Sequence, residues 1–251
     1  MLYAMRSGVV NNGVNMSGVD NHKVDSSMSS LPQAVIIRRA DMAISQWAGG
    51  STTQLAIYPA HSCVAAQDFL WRFSSATVEQ SGAFTRFPQH QRLLALRQGA
   101  GFVLTVEAKL ASAEPTNEQP VPTQQAGVTS QQQTLRFAGY CHSSARLLQG
   151  AITDINLMLA AGFSGNLLAL QLSQSWQPLL LARPERSTLL LWSDETALDI
   201  RVNEQQLQLI SGDLCILPNW PLSPLIELSA SQACAGNTVV VAWLKADTTS
   251  G

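Results

Sequence analysis

With 251 residues, 46% of them hydrophobic and 13% charged, the chain can bury a sizeable core without disulfides or metals, and its net charge of −2 supplies no basic stripe for following a phosphate backbone. Its four cysteines (Cys63, Cys141, Cys215 and Cys234) are far apart and form no C-x-x-C pair, unlike the dense spacing of a disulfide-stapled scaffold. No run approaches the ~18 apolar residues of a transmembrane helix and no basic amphipathic segment suggests a membrane surface, so nucleic acid and membrane are set aside as partners and a cytoplasmic location is expected.

In chain order, residues 1–33 mix Asn, Gly and Ser into every window and build no signal-peptide core; they are expected to form a flexible leader, with Met5, Met16 and Met28 as later translation starts. A first folded half is expected over residues 34–110. Within it, Gly99 and Gly101 mark a turn that feeds a strand from Phe102 to Glu107. Residues 111–134, rich in Gln, Pro and Thr, carry too little apolar surface to offset ordering entropy, which predicts a long mobile loop. A second half is expected over residues 135–247. Its best helical candidate runs from Asp154 to Ala161, with Asp154 placed to cap the first turn. Leu168, Leu170 and Leu172 alternate with polar or small residues as in a half-buried strand. Leu198 to Val202 and Leu207 to Ile210 flank a hairpin turn, and the run from Thr238 to Leu244 reads as a buried closing strand. Helical periodicity is weak throughout, so the fold class is all-β, with two barrels or sandwiches packed together.

Several motifs add a family resemblance. Trp71-Arg72-Phe-Ser74-Ser-Ala76 is followed by Gly82-Ala-Phe84-Thr-Arg-Phe87-Pro88, then by Arg92, and later by Phe137-Ala-Gly139, Leu147-Leu-Gln-Gly150 and Asp154-Ile-Asn156-Leu-Met158. Together, over about residues 35–245, these resemble the signature of the HutD/Ves family. The start differs: where the family has Trp-x-Asn-Gly-Gly-Gly-x-Thr-x-Glu, this chain has Trp47-Ala-Gly49-Gly50-Ser-Thr52-Thr-Gln54, and Tyr140 stands where an Asp is common. The resemblance implies a bicupin, two cupin-like β-barrels here joined by the long loop, and in one branch a link to histidine utilisation.

Cupin metal sites need two His and a carboxylate on one motif with a further His from a later strand, because three or four donors must converge on one cation. Here His22, His61, His90 and His142 are scattered, no His-x-His occurs, and no His follows Gly212-Asp213, so no metal and no cofactor is expected. Cys141 and His142 are adjacent; on a strand they point to opposite faces and form no catalytic dyad. No Gly-x-Ser-x-Gly elbow or phosphate loop is present, and Gly49-Gly50 reads as a tight turn.

Arg72 and Ser74, two apart on a strand, share a face that can be a barrel interior. An inward Arg must be paired, with Glu79 or Asp154 as internal partners, or must bind an anion such as a carboxylate or formyl group. Asp154 and Asn156 serve either as caps or as pocket groups. Trp47, Thr52, Gln54 and Phe87 complete the candidate ligand-binding set, the aromatics doubling as packing. The expected function is metal-free binding of a small polar metabolite (a carboxylate, formyl or imidazole compound), in regulation of histidine utilisation or a stress response. The alternative is a metal-independent cupin isomerase or lyase with Asp154 or Glu79 as general base. A homodimer is compatible with everything in the sequence.

Overall fold

A computed structural model describes residues 34–107, 123–232 and 237–247. The leader expected over residues 1–33, and residues 111–122 of the expected loop, lie outside the described residues. A short strand β1 (Val35–Ile37), a 3-10 turn (Arg39–Asp41) and a hairpin of β2 (Ile44–Trp47) and β3 (Gly50–Tyr58) precede two sets of eight strands. The first set is β4 (Trp71–Val78), β5 (Gly82–Ala83), β6 (His90–Gln98), β7 (Phe102–Glu107), β8 (Thr123–Val128), β9 (Thr134–Ala138), β10 (His142–Leu147) and β11 (Ile152–Ala160). The second is β12 (Phe163–Gln171), β13 (Gln177–Pro178), β14 (Ser187–Trp192), β15 (Leu198–Val202), β16 (Gln205–Leu209), β17 (Leu214–Trp220), β18 (Ile226–Ala230) and β19 (Thr238–Ala246).

Each set makes one barrel of two facing sheets. In the first, β4-β11-β6-β9 faces β5-β10-β7-β8; in the second, β12-β19-β14-β17 faces β13-β18-β15-β16. Shifting the strand number by eight reproduces every pairing of one barrel in the other, so the chain is a structural duplication. The hairpin extends the first barrel's inner sheet beyond β4, while β1 crosses to pair with β17 of the second, Val35 against Ile216. The all-β, double-barrel fold expected from the sequence is therefore the fold observed.

Period-2 alternation decides which side chains meet. The two inner sheets pack back to back, burying Trp71, Phe73, Leu93, Ile155, Leu157 and Leu159 against Leu190, Trp192, Leu214, Ile216, Val240 and Ala242. Arg97, almost wholly buried, ties the barrels by pairing with Asp194 at 2.6 Å and Glu195 at 3.1 Å. The second barrel's interior is filled by an apolar cluster that includes Leu189, Leu191, Cys215, Leu217, Val239 and Val241. The first barrel's apolar floor is Val78, Leu94, Leu96, Phe102, Leu104, Val128 and Ile152.

Three expectations need correction. Asp154 to Ala161 is not a helix: Ile152–Ala160 is strand β11, central between β4 and β6. Because it is buried on both faces, it lacks the polar alternation that marks a strand. Thr123–Val128, placed in the loop, is a strand at the edge of its sheet, where backbone pairing with β7 is enough and Gln124 and Gln125 stay exposed. The division between halves also moves, since residues 135–160 supply β9, β10 and β11 to the first barrel and Val35–Ile37 belongs to the second. The barrels are joined not by the long loop but by a tight turn at Ala161–Gly162, where Gly162 takes φ +84°. The hairpin of β15 and β16 is as expected, its turn carried by Asn203 at φ 53°.

Candidate functional site

The first barrel's inner sheet presents an ordered set of rows to its interior. Ile57, Arg72, Met158, Arg92 and Phe137 lie side by side across five strands. The next row is Gln54, Ser74, Asn156 and Leu94; beyond it come Thr52, Ala76, Asp154 and Leu96, next to the apolar floor. A β-bulge at Leu55 keeps the first row aligned: without it Ala56, not Ile57, would stand beside Arg72. Gly50, at the start of β3, has no room for a Cβ, which would lie 1.9 Å from the Thr77 carbonyl oxygen. This glycine lets the hairpin close against β4.

These rows line a cavity of about 470 Å³. Of the eight residues expected from the sequence, Trp47, Thr52, Arg72, Ser74, Phe87, Asp154 and Asn156 line it. Trp47 stands exposed at the mouth and its Nε1–H donates to Thr52 Oγ1 at 3.2 Å. Gln54 stands behind Arg72, whose Nε–H donates to Gln54 Oε1 at 3.2 Å. That bond replaces the internal ion pairs considered for Arg72: Glu79 is exposed, and Asp154 makes no ion pair with Arg72.

Arg92 is the residue that sequence reasoning missed as a cavity group. It donates from Nη1 to the Thr85 carbonyl at 3.3 Å and also lines the cavity. Its guanidinium lies 4.9 Å from the Phe84 ring centre and 5.2 Å from that of Phe137, a desolvated cation against two aromatic faces. The signal was present: Arg92, Leu94 and Leu96 alternate on one strand, so the inward side of the leucines is the side of the arginine too.

The electrostatics are unbalanced. Burial lowers Arg92 to about 10, opposed by the Asp154 carboxylate and reinforced by Arg72, and burial also lowers Arg72. Asp154 is pushed up to about 7 by burial, against the pull of Arg92. Among the described residues, Arg92 Nε, Asp154 Oδ1 and Asn156 Oδ1 are buried without a hydrogen-bond partner. Below about pH 7 the cavity thus carries two guanidinium charges and no carboxylate to neutralise them. Donors, acceptors and excess positive charge converge between apolar walls, the arrangement that orients a small anion.

A family model described as HutD matches residues 39–235. An uncharacterized 21.2 kDa protein in the hutC 3' region of Pseudomonas putida is 34% identical over 92 residues, a match spanning 37% of this chain and only 40% of that relative. A conserved protein of unknown function from Pseudomonas aeruginosa PAO1 superposes with a TM-score of 0.61 at 24% identity, covering 86% of this chain and 99% of that one. HutD from Pseudomonas fluorescens SBW25, in a formate condition, gives 0.59 at 22%, covering 85% and 98%. An oxalate decarboxylase of Bacillus subtilis with Mn(II) centres gives 0.54 at 6%, covering 89% and 80%. At these identities the structural likeness is one of fold. The cavity's donor set does not fit such a metal: its charged groups are two guanidiniums and one carboxylate, and no group of three or more His, Cys, Asp or Glu is gathered among the described residues. Nor is any helix among them long and apolar enough to cross a membrane.

Proposed function

This chain belongs to the HutD family, and from that premise we propose that it is a metal-independent binding protein whose first barrel holds a small carboxylate-bearing metabolite. The observation that carries this reading is the row in which Arg72 and Arg92 flank Met158 at the face of the cavity, with Asp154 held near neutrality two rows below. A carboxylate supplies the acceptors that the two guanidiniums need, and Asn156 and a protonated Asp154 provide further hydrogen bonds to a formyl or carboxylate oxygen. Aromatic walls from Phe84 and Phe87 suit a flat or short-chain body. The formate condition of the Pseudomonas fluorescens HutD structure supports trying formate first. The family's link to histidine utilisation makes the carboxylates and imidazole compounds of that pathway the next probes, with a regulatory role in that pathway as the physiological reading.

A thermal-shift screen tests this. A ligand at 100 times its dissociation constant stabilises by about 2.7 kcal/mol. The gain should vanish in Arg72→Ala, whereas an undiminished gain in that variant would remove the cavity from the proposal.

One observation favours a second reading. A buried carboxyl group near pKa 7, within the field of Arg92, is matched to proton abstraction at neutral pH, so Asp154 can serve as the general base of an isomerase or lyase. Solvent-deuterium exchange into a bound carboxylate, followed by NMR, separates the two: exchange that disappears in Asp154→Asn marks an enzyme, and no exchange marks a binding protein.

A further inference from the structure

A second, smaller cavity of about 170 Å³ lies at the seam between the barrels. Its walls are apolar, from Ile37 on β1, Leu55 and Ala56 on β3 and Ile216 on β17, and the exposed Asp41 and Ala43 stand at its mouth. Trp71 lines it and is fully buried, yet its Nε1–H has no acceptor among the described residues. A buried indole donor beside a cavity of this size is a built feature. A cavity of about 150 Å³ accepts a benzene-sized molecule, and the unmet donor calls for an acceptor on whatever enters. The ligand's charge is constrained as well. An anion would meet Asp41 and no cation, and an ammonium group would offer Trp71 no acceptor.

The pocket and the larger cavity lie on opposite faces of β4. Trp71 and Arg72 are neighbours on β4 and point to opposite faces, one to the seam and the other to the first barrel's interior. Gln54 lines the seam pocket and accepts the Arg72 Nε–H through its Oε1. It sits at the bulge of β3, where the strand changes which side chains face inward, and its backbone N–H is fixed to the Ala43 carbonyl at 2.8 Å. One residue therefore borders the seam pocket and, through its side-chain amide, holds an arginine that lines the larger cavity.

We propose that the seam pocket is a second binding site, for a small, neutral, planar molecule that presents a hydrogen-bond acceptor from an otherwise apolar body, and that Gln54 transmits its occupancy to Arg72. The site itself does not depend on the function proposed for the larger cavity; only the consequence for anion affinity does. Pyrazole is a suitable probe, being flat, uncharged at neutral pH and equipped with an acceptor nitrogen; benzene is the control for cavity filling alone. In the full-length chain, 15N-labelled, the Trp71 indole N–H and Arg72 Nε–H resonances are assigned by their loss in Trp71→Phe and Arg72→Lys. Saturable pyrazole binding should move the Trp71 signal downfield and shift Arg72 with it, and benzene should not produce the downfield move. Filling the mouth with Ala43→Phe, an exposed position tolerant of bulk, should abolish both shifts. In Gln54→Leu the Trp71 shift should remain and the Arg72 shift disappear. An unmoved Trp71 signal, an equal shift with benzene, or persistence in Ala43→Phe overturns the site; an Arg72 shift that survives Gln54→Leu overturns the coupling.

Discussion

Offset by eight strands, the interiors of the two barrels can be compared position by position. On β11, Asp154 stands between Ala76 and Leu96; at the matching place on β19, Val241 stands between Leu168 and Leu191. One level nearer the opening, Asn156 lies beside Ser74 and Leu94, where the second barrel has Trp243 beside Asn166 and Leu189. The pairings are the same; the contents are not. In the second barrel apolar side chains fill most of the interior, and burial pushes the Cys215 thiol up to about 12. A smaller cavity of about 110 Å³ there has a single arginine, Arg183, whose guanidinium already donates to the Trp220 and Pro221 carbonyls. The first barrel gives up that packing at its open end for two arginines, an amide and a carboxylate. What differs is a handful of inward positions on a common frame, and those positions carry the capacity for chemistry.

The comparison breaks most easily at Val241. Placing a carboxylate there by Val241→Asp puts an acid where the first barrel has one, without arginines to face it. The loss of stability should exceed about 4 kcal/mol by urea denaturation. A cost below about 1 kcal/mol would mean that the second barrel is not the dry core described here.

At Asp154 the effect is smaller and depends on pH. Folding raises its pKa to about 7, from about 3.9 in an unfolded chain, so between those values the folded state keeps a proton that the unfolded state releases. Stability therefore falls as pH rises from about 4 to about 7, by up to roughly 4 kcal/mol, and is flat beyond. Asp154→Asn should remove that slope and be the more stable protein at pH 8; parallel pH profiles for the two proteins would contradict the assignment. The same titration acts on binding, because ionised Asp154 opposes a bound anion: carboxylate affinity should weaken about tenfold or more as pH passes upward through 7.

Arg97 tests whether the two barrels act as one body. Arg97→Met keeps the buried stem and removes the pairs with Asp194 and Glu195, which are themselves partly exposed. About 1–2 kcal/mol should be lost within a single unfolding transition. Two separated transitions would show that the seam does not couple the barrels.

The sequence made some of this legible and hid the rest for identifiable reasons. Alternation around Trp71-Arg72-Phe73-Ser74 gives the right faces because one side packs on the second barrel and the other is polar. β11 reads poorly because both its faces are buried, so Asp154 looks like a helix cap instead of an interior acid. β8 reads poorly for the opposite reason: an edge strand with Gln124 and Gln125 both exposed needs little apolar content. Thr52 and Gln54 share a face as their spacing implies, but the bulge at Leu55 is invisible in composition, and with it the role of Gln54 as a partner of Arg72 rather than a wall of the cavity. The two barrels were legible through the family resemblance, but their strand-by-strand correspondence was not, since it lives in strand order and not in repeated residues.

The central claim is that one barrel of the pair binds a small carboxylate and the other does not. Isothermal titration with formate, extended to larger carboxylates, at pH 6 tests it most directly. The expected result is one site per chain, abolished in Arg72→Ala while that variant keeps the wild-type unfolding transition. Two sites per chain, or binding that persists unchanged in Arg72→Ala, would contradict it.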